Sequence, residues 1–330
     1  MKPVDSSTPK KQHYVPQFIL KNFKKGKKKR VHVYDKQGKL FYLSSIRDAA
    51  CEKGYYNVEV DGDGYTLENK LSSLEGAAGN VVKKIIDSES LAGLEAKDFA
   101  IFHLFCAVQL LRTETQRNLG RQIQETTLIW LEEQGICVED VENFEVFDDE
   151  KLKHCHISNI NSLALEIAEH FKDKVMMLAK APQGHEFLIS DNPITMHNHK
   201  PRPGRGNLGL RLEGIEVHMP ISRSLCVSYV CPTMMGEMTE RINNLQLLWS
   251  IGAAPQLPGS QEVVELFEAI ETGAPRVMKP ENMEFYNSLQ VNQSTRFLYS
   301  SDGNFSLVED MLRTNPECQF APLINRNQSI

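Results

Sequence analysis

Phe99-Ala100-Ile101-Phe102-His103-Leu104-Phe105-Cys106-Ala107-Val108-Gln109-Leu110-Leu111-Arg112 is apolar almost all the way round when wound as a helix. A surface helix keeps one polar face, and a helix without one belongs inside a core. The stretch therefore predicts a long buried central helix over residues 97–134, with its apolar half first. Arg112, closing that half, needs an acid or an anionic ligand beside it, and Asp191 is one structural partner the sequence offers.

Outward from this helix, the periods alternate. Leu67, Leu71 and Leu74 recur at helical spacing after Thr66, Glu68 and Asn69, predicting a helix over 66–86 that passes Gly76 and Gly79. Downstream, an acidic loop near 139–150 leads to a helix over 157–179, with Leu163, Ile167, Phe171, Val175 and Leu178 on one face. Near the N-terminus, Pro16 suits the first turn of a helix through Phe18, Ile19 and Phe23. Val31-His32-Val33-Tyr34 and Leu40-Phe41-Tyr42-Leu43 flank Asp35-Lys36-Gln37-Gly38, which reads as a β-hairpin. A short helix over 45–52 and a strand over 55–60, closed by Asp61-Gly62-Asp63-Gly64, follow.

The C-terminal half reads as short strands near 186–189, 209–218, 225–231 and 296–300. Helices are expected near 235–249, 260–272, 281–292 and 306–313, and 196–207 as a long exposed loop. The class is α+β and helix-rich, with an N-terminal hairpin or small sheet, the central helix and a second small sheet in the C-terminal half. The expected organisation is a basic disordered tail over 1–11 and one large domain over 12–330, divisible into lobes at 12–180 and 181–330.

Composition excludes several classes. Hydrophobic content of 41% with 24% charged residues is that of a globular chain rather than a disordered or fibrous one. No apolar run approaches the roughly 18–20 residues that span a bilayer, and no apolar stretch marks a secretory signal, so a cytoplasmic protein without a membrane partner is expected. Seven cysteines without a Cys-x-x-Cys pair read as reduced thiols. Residues 1–30 hold ten basic residues and one acid, a balance of +9; since the chain totals −6, residues 31–330 carry −15. Such a basic arm, with Lys24, Lys25, Lys27, Lys28, Lys29 and Arg30 at its end, either steers towards phosphate or is simply solvated.

Lys11-Gln12-His13-Tyr14-Val15-Pro16-Gln17-Phe18-Ile19-Leu20-Lys21-Asn22-Phe23 resembles the opening of a widespread microbial family, domain of unknown function 4238. Members begin with a His-Tyr-Val-Pro-Gln-Phe-Tyr-Leu-(Arg/Lys)-Asn-Phe stretch, in which Ile19 here replaces the usual tyrosine. Tyr34-Asp35, Tyr55-Tyr56, Glu68, Glu75, Leu111-Arg112-Thr113, Ser190-Asp191-Asn192-Pro193 and residues 287–300 extend the resemblance over nearly the whole chain. The resemblance implies relatives and brings no established activity.

Chemistry concentrates at a few positions. His13, just before a helix start, either caps that helix or acts as a general acid or base near neutral pH. Asp191, with Ser190 and Asn192 beside it, ends a buried strand and either presents an acid to a cleft or closes an Asx-turn. Gln17 and Glu68 are supporting candidates. Glu68-Asn69-Lys70 superficially resembles the Glu-x-Lys of metal-dependent nucleases, although it reads as helix. His154/His156 and His197/His199 have zinc-compatible spacing but no third ligand nearby in sequence. There is no Gly-x-Ser-x-Gly, His-Glu-x-x-His, phosphate-loop or dinucleotide glycine signature.

The leading expectation is a nuclease or other phosphodiester-directed enzyme of a microbial antiviral-defence or toxin-like system, acting on DNA or RNA. In it His13 is acid/base, Asp191 orients it or holds Mg²⁺ or Mn²⁺, and Arg112 neutralises phosphate charge. The alternatives are a non-catalytic nucleic-acid or ligand-binding sensor, and a purely structural role for the N-terminal motif.

Overall fold

The computed structural model of the chain describes residues 2–4, 8–60, 62–142, 144–200, 206–250 and 259–320. Residues 2–66 contribute mainly the strands of small sheets. β1 (Lys2–Pro3) pairs with β7 (Asp63–Thr66), which pairs with β6 (Asn57–Val60); β2 (Lys11–His13) pairs with β5 (Cys51–Lys53). The segment expected to be a disordered tail is thus stapled to the body twice where it is described. The hairpin is present as β3 (Arg30–Asp35) and β4 (Leu40–Ser45). No helix forms over 45–52. Asp48 N–H donates to Ser45 O, the Asp48 carboxylate accepts from Ser45 Oγ, and Ala50 takes a positive φ, so a turn leads directly into β5.

Helix α1 (Gln17–Leu20) starts on Pro16, whose carbonyl accepts from Ile19 and Leu20. Helix α2 (Glu68–Ser88) opens where Thr66 Oγ1 accepts the Glu68 N–H, and it runs through both glycines. The expected long central helix is two helices: α3 (Ala96–Leu111), opened by a Glu95/Asp98 capping box, and α4 (Glu114–Glu133). Thr113 is extended between them. The sequence changes character there. The all-round apolar segment must stay inside, whereas the following segment has a polar face and belongs at the surface.

Helix α5 (Asp149–Lys172) ends earlier than expected, and residues 175–180 form strand β8 (Val175–Lys180) instead of its last turns. β8 lies inside a five-stranded sheet ordered β10 (Thr195–Asn198), β11 (Ile215–Pro220), β12 (Leu225–Val230), β8, β13 (Pro275–Val277). All pairs are antiparallel except β8 with β13. A central strand is buried on both faces, so its apolar run lacks the alternation that would distinguish it from a helix.

Helices α6 (Pro232–Ser250), α7 (Ser260–Thr272) and α8 (Pro280–Gln293) stand where the sequence places them. So do strand β14 (Phe297–Ser300) and helix α9 (Ser306–Thr314). Gly273, at φ +68°, lets the end of α7 meet residues 91–92; a Cβ there would stand 2.7 Å from Ala92 N. A four-stranded sheet, β4-β3-β14-β9 with β9 (Ile189–Ser190), joins N- and C-terminal segments. One large core runs from Tyr14 to Tyr299, so the halves divided at residue 180 share an interior. A smaller cluster lies under α9, around Tyr34, Leu298 and Phe305. Among the described residues no helix is long and apolar enough to cross a membrane.

Candidate active site

The motif's apolar residues anchor it: Tyr14, Val15, Ile19, Leu20 and Phe23 are all buried. Two side chains then fix its backbone. Gln109 Nε2, from α3, donates to Tyr14 O (2.9 Å), and the Tyr56 hydroxyl donates to His13 O (3.0 Å). Gln12, fully buried, accepts from Tyr56 N (2.6 Å) and donates to Asn57 Oδ1 (2.8 Å), tying the motif strand to the tyrosine turn. His13 is consequently half-buried at a defined position, with Nε2 buried and unbonded.

Arg112 ends α3 only 1% exposed. Its Nε donates to Gln109 Oε1 (2.8 Å) and its first terminal nitrogen to Glu75 Oε1 (2.7 Å), while the second is buried with no hydrogen-bond partner among the described residues. Gln109 therefore links the arginine to the motif backbone. Glu75 comes from α2, and so does Glu68, seven residues earlier. Seven residues are nearly two helical turns, so both carboxylates lie on one face of α2, and the Arg112 charge acts on both.

The electrostatics separate the two titrating groups. Burial lowers the His13 pKa, against weaker support for the charged form from the Ile46 backbone and Glu75. Burial, with the Glu75 charge adding to it and Arg112 opposing, raises Glu68 to about 7. His13 is thus held neutral near pH 7, while Glu68 is about half protonated. A neutral imidazole, an acid that still carries a proton and an unsatisfied guanidinium N–H together suit proton transfer around an anionic substrate.

Asp191 does not join this group. It is fully buried, and its carboxylate accepts three backbone N–H groups: Thr295 (2.8 Å), Arg296 (2.7 Å) and Phe297 (2.7 Å). Burial still outweighs those bonds and raises its pKa to about 6. Its geometry is that of a turn closure, and the expected Arg112–Asp191 pair is corrected to Arg112–Glu75. Ser190 and Asn192 are likewise committed: Ser190 Oγ donates to Gln290 Oε1 (2.7 Å) and Asn192 Nδ2 to Gln293 O (2.9 Å), both on α8. Gln17 sits half-buried at the start of α1.

The basic run occupies the loop between Phe23 and β3 and the first residue of that strand; Lys24, Lys25, Lys27, Lys28 and Lys29 on the loop and Arg30 on the strand are all exposed. Ile46 N–H donates to Lys29 O (3.1 Å), so the loop runs beside the backbone that contacts His13.

The histidine pairs are not brought together. His156 Nε2 bonds Leu111 O, and His199 Nδ1 bonds Gly214 O. No group of three His, Cys, Asp or Glu side chains is gathered for a metal ion among the described residues. Glu68-Asn69-Lys70 lies on helix α2, and Lys70 Nζ donates to Asn161.

Glu75, Gln109, Tyr56 and Gln12 were missed as site residues by sequence reasoning. The heptad spacing of Glu68 and Glu75 was the available signal for one of them. A family model described as "Protein of unknown function (DUF4238)" matches residues 11–304. No curated protein and no solved structure matches the chain.

Proposed function

From the premise that this chain belongs to the DUF4238 family of proteins of unknown function, we propose that it is a hydrolase of phosphodiesters, a nuclease acting at His13, Glu68 and Arg112. The observation that carries the reading is the pair of buried, unbonded nitrogens, His13 Nε2 and one on Arg112, beside a carboxyl group raised to about 7. Buried donors without partners are uncommon, and at a site they are what a ligand satisfies. An exposed loop with six cations in seven residues beside the same segment supports a polyanionic substrate.

In this reading neutral His13 accepts the proton of the attacking water as its oxygen bonds to phosphorus. The free N–H of Arg112 stabilises the charge that develops on the phosphoryl oxygens. Glu68 donates its proton to the oxygen leaving phosphorus, and Glu75 keeps the guanidinium oriented. Because Glu68 must be protonated, cleavage falls as pH rises above about 7. Glu68→Gln removes that limb along with at least about 100-fold of the rate. A pH–rate profile of labelled DNA and RNA cleavage, with and without Mg²⁺ or Mn²⁺, tests this; a rate independent of Glu68 would count against the assignment.

The second reading is a non-catalytic nucleic-acid or ligand sensor, favoured by the cationic loop itself. It predicts salt-sensitive binding that weakens when the loop is neutralised, and no turnover.

A further inference from the structure

Strand β4 is an edge strand of its sheet, yet four consecutive large apolar residues on it face solvent: Leu40 is 50% exposed, Phe41 60%, Tyr42 43% and Leu43 40%. Edge strands are usually blunted with charge or proline, and a row of exposed apolar side chains on one marks a binding surface. The register pairs Tyr34 with Phe41 and His32 with Leu43, so Phe41 and Leu43 share one face of the hairpin. Phe41 is braced from behind, its ring centroid 6.4 Å from that of buried Phe305.

The cationic loop meets this same face. It enters the hairpin at Arg30, opposite Ser45, and the Lys25 charge lies near enough to His32 to help burial hold that imidazole below its usual pKa against the smaller opposing effect of Asp302. None of the six cations of residues 24–30 forms an ion pair among the described residues. A braced aromatic, a neighbouring leucine and unneutralised lysines on one face match the two halves of a nucleotide chain: bases stack on apolar rings, and phosphates need cations. Stacking of this kind requires bases that are not already paired.

We propose that the outer face of β4 and the loop of residues 24–30 form a binding track for single-stranded nucleic acid, leading past Ile46 to His13. The proposal rests on the phosphodiester reading for its destination, and its binding claim can be measured without turnover. Duplex shares the phosphates but hides its bases, so it uses the loop and not the strand.

The test is fluorescence anisotropy of labelled single-stranded and duplex oligonucleotides on full-length His13→Ala protein, so that cleavage does not interfere. Wild-type surfaces should bind single strands about 10-fold more tightly than duplex. The double variant Phe41→Ser/Leu43→Ser should lose about 10-fold for single strands and almost nothing for duplex. Replacing Lys24, Lys25, Lys27 and Lys28 by serine should weaken both and flatten the salt dependence. Both substituted surfaces are exposed, and a circular-dichroism melt verifies that the variants fold.

Equal affinity for the two forms, or indifference of single-strand binding to Phe41→Ser/Leu43→Ser, overturns the proposal. So does a wild-type dimer that this double variant converts to monomer, because the strand would then be covered by a second copy. Single-strand binding as described with no cleavage by the wild-type protein leaves the track standing and removes the catalytic reading. Cleavage unaffected by the double variant does the reverse.

Discussion

At Arg112 a buried guanidinium is held by Gln109 and Glu75, and the cost of disturbing it depends on what is left behind. Arg112→Ala strands the Glu75 and Gln109 acceptors and should destabilise by about 3–5 kcal/mol in urea denaturation. Arg112→Lys keeps a charge but lacks the planar fork, and should fold while losing activity.

Glu68 offers a pH-resolved test. Its folded pKa of about 7 lies above the ordinary 4.5, so between those values the folded chain binds more protons than the unfolded one and stability falls as pH rises. Glu68→Gln should therefore gain on the order of 1–3 kcal/mol at pH 8 and almost nothing at pH 4, read from paired thermal melts. Asp191→Asn should behave oppositely to a catalytic lesion. It places an amide against backbone donors and should cost about 2–4 kcal/mol, with activity per folded molecule retained.

The positions of His13 and Arg112 were legible in the sequence, because a histidine before a proline-started helix and an arginine closing an apolar helix are both conspicuous. Asp191 misled for a physical reason. The same strand-end position serves an active-site acid and an Asx-type closure, and only the three N–H groups of residues 295–297, a hundred residues away, decide between them.

Among the elements, those with a clear period or a clear start were legible: α2 and α9 are amphipathic, while the hairpin is marked by its turn residues and α8 by Pro280 at its first turn. β8 was not, since a doubly buried strand carries a helix-like block of apolar residues. Nor was the α3–α4 break, set by where α4 must reach solvent. Lys36 was also invisible. It lies in the hairpin turn sequence, yet it is fully buried, with Nζ donating to Val291 O (2.9 Å), Ser294 O (2.9 Å) and Cys318 O (2.6 Å). Burial lowers its pKa to about 8. The ammonium caps the C-terminal carbonyls of α8 and pins the segment after α9. Lys36→Met would strip Ser294 O and Cys318 O of their lysine donor, Val291 O keeping the Ser294 hydroxyl, and should cost about 2–4 kcal/mol. Hydrogen exchange should show residues 306–319 losing protection first.

On the scale of the whole molecule, strands from both halves interleave: β14 pairs with β3, and β8 lies between β12 and β13. Cutting at residue 180 would divide one core, so thermal unfolding should show a single transition; two separated transitions would indicate independent lobes. Within that core, α2 packs on α3 and the motif is bonded to α3 through Gln109, which gathers the segments around residues 13, 68–75 and 112 and is the basis of the proposed hydrolase. The most direct measurement incubates wild-type and His13→Ala protein with labelled DNA and RNA, with and without Mg²⁺ or Mn²⁺. Wild type should cleave and His13→Ala should be at least about 100-fold slower at an unchanged melting temperature; equal rates, or no cleavage by either protein, would contradict the account.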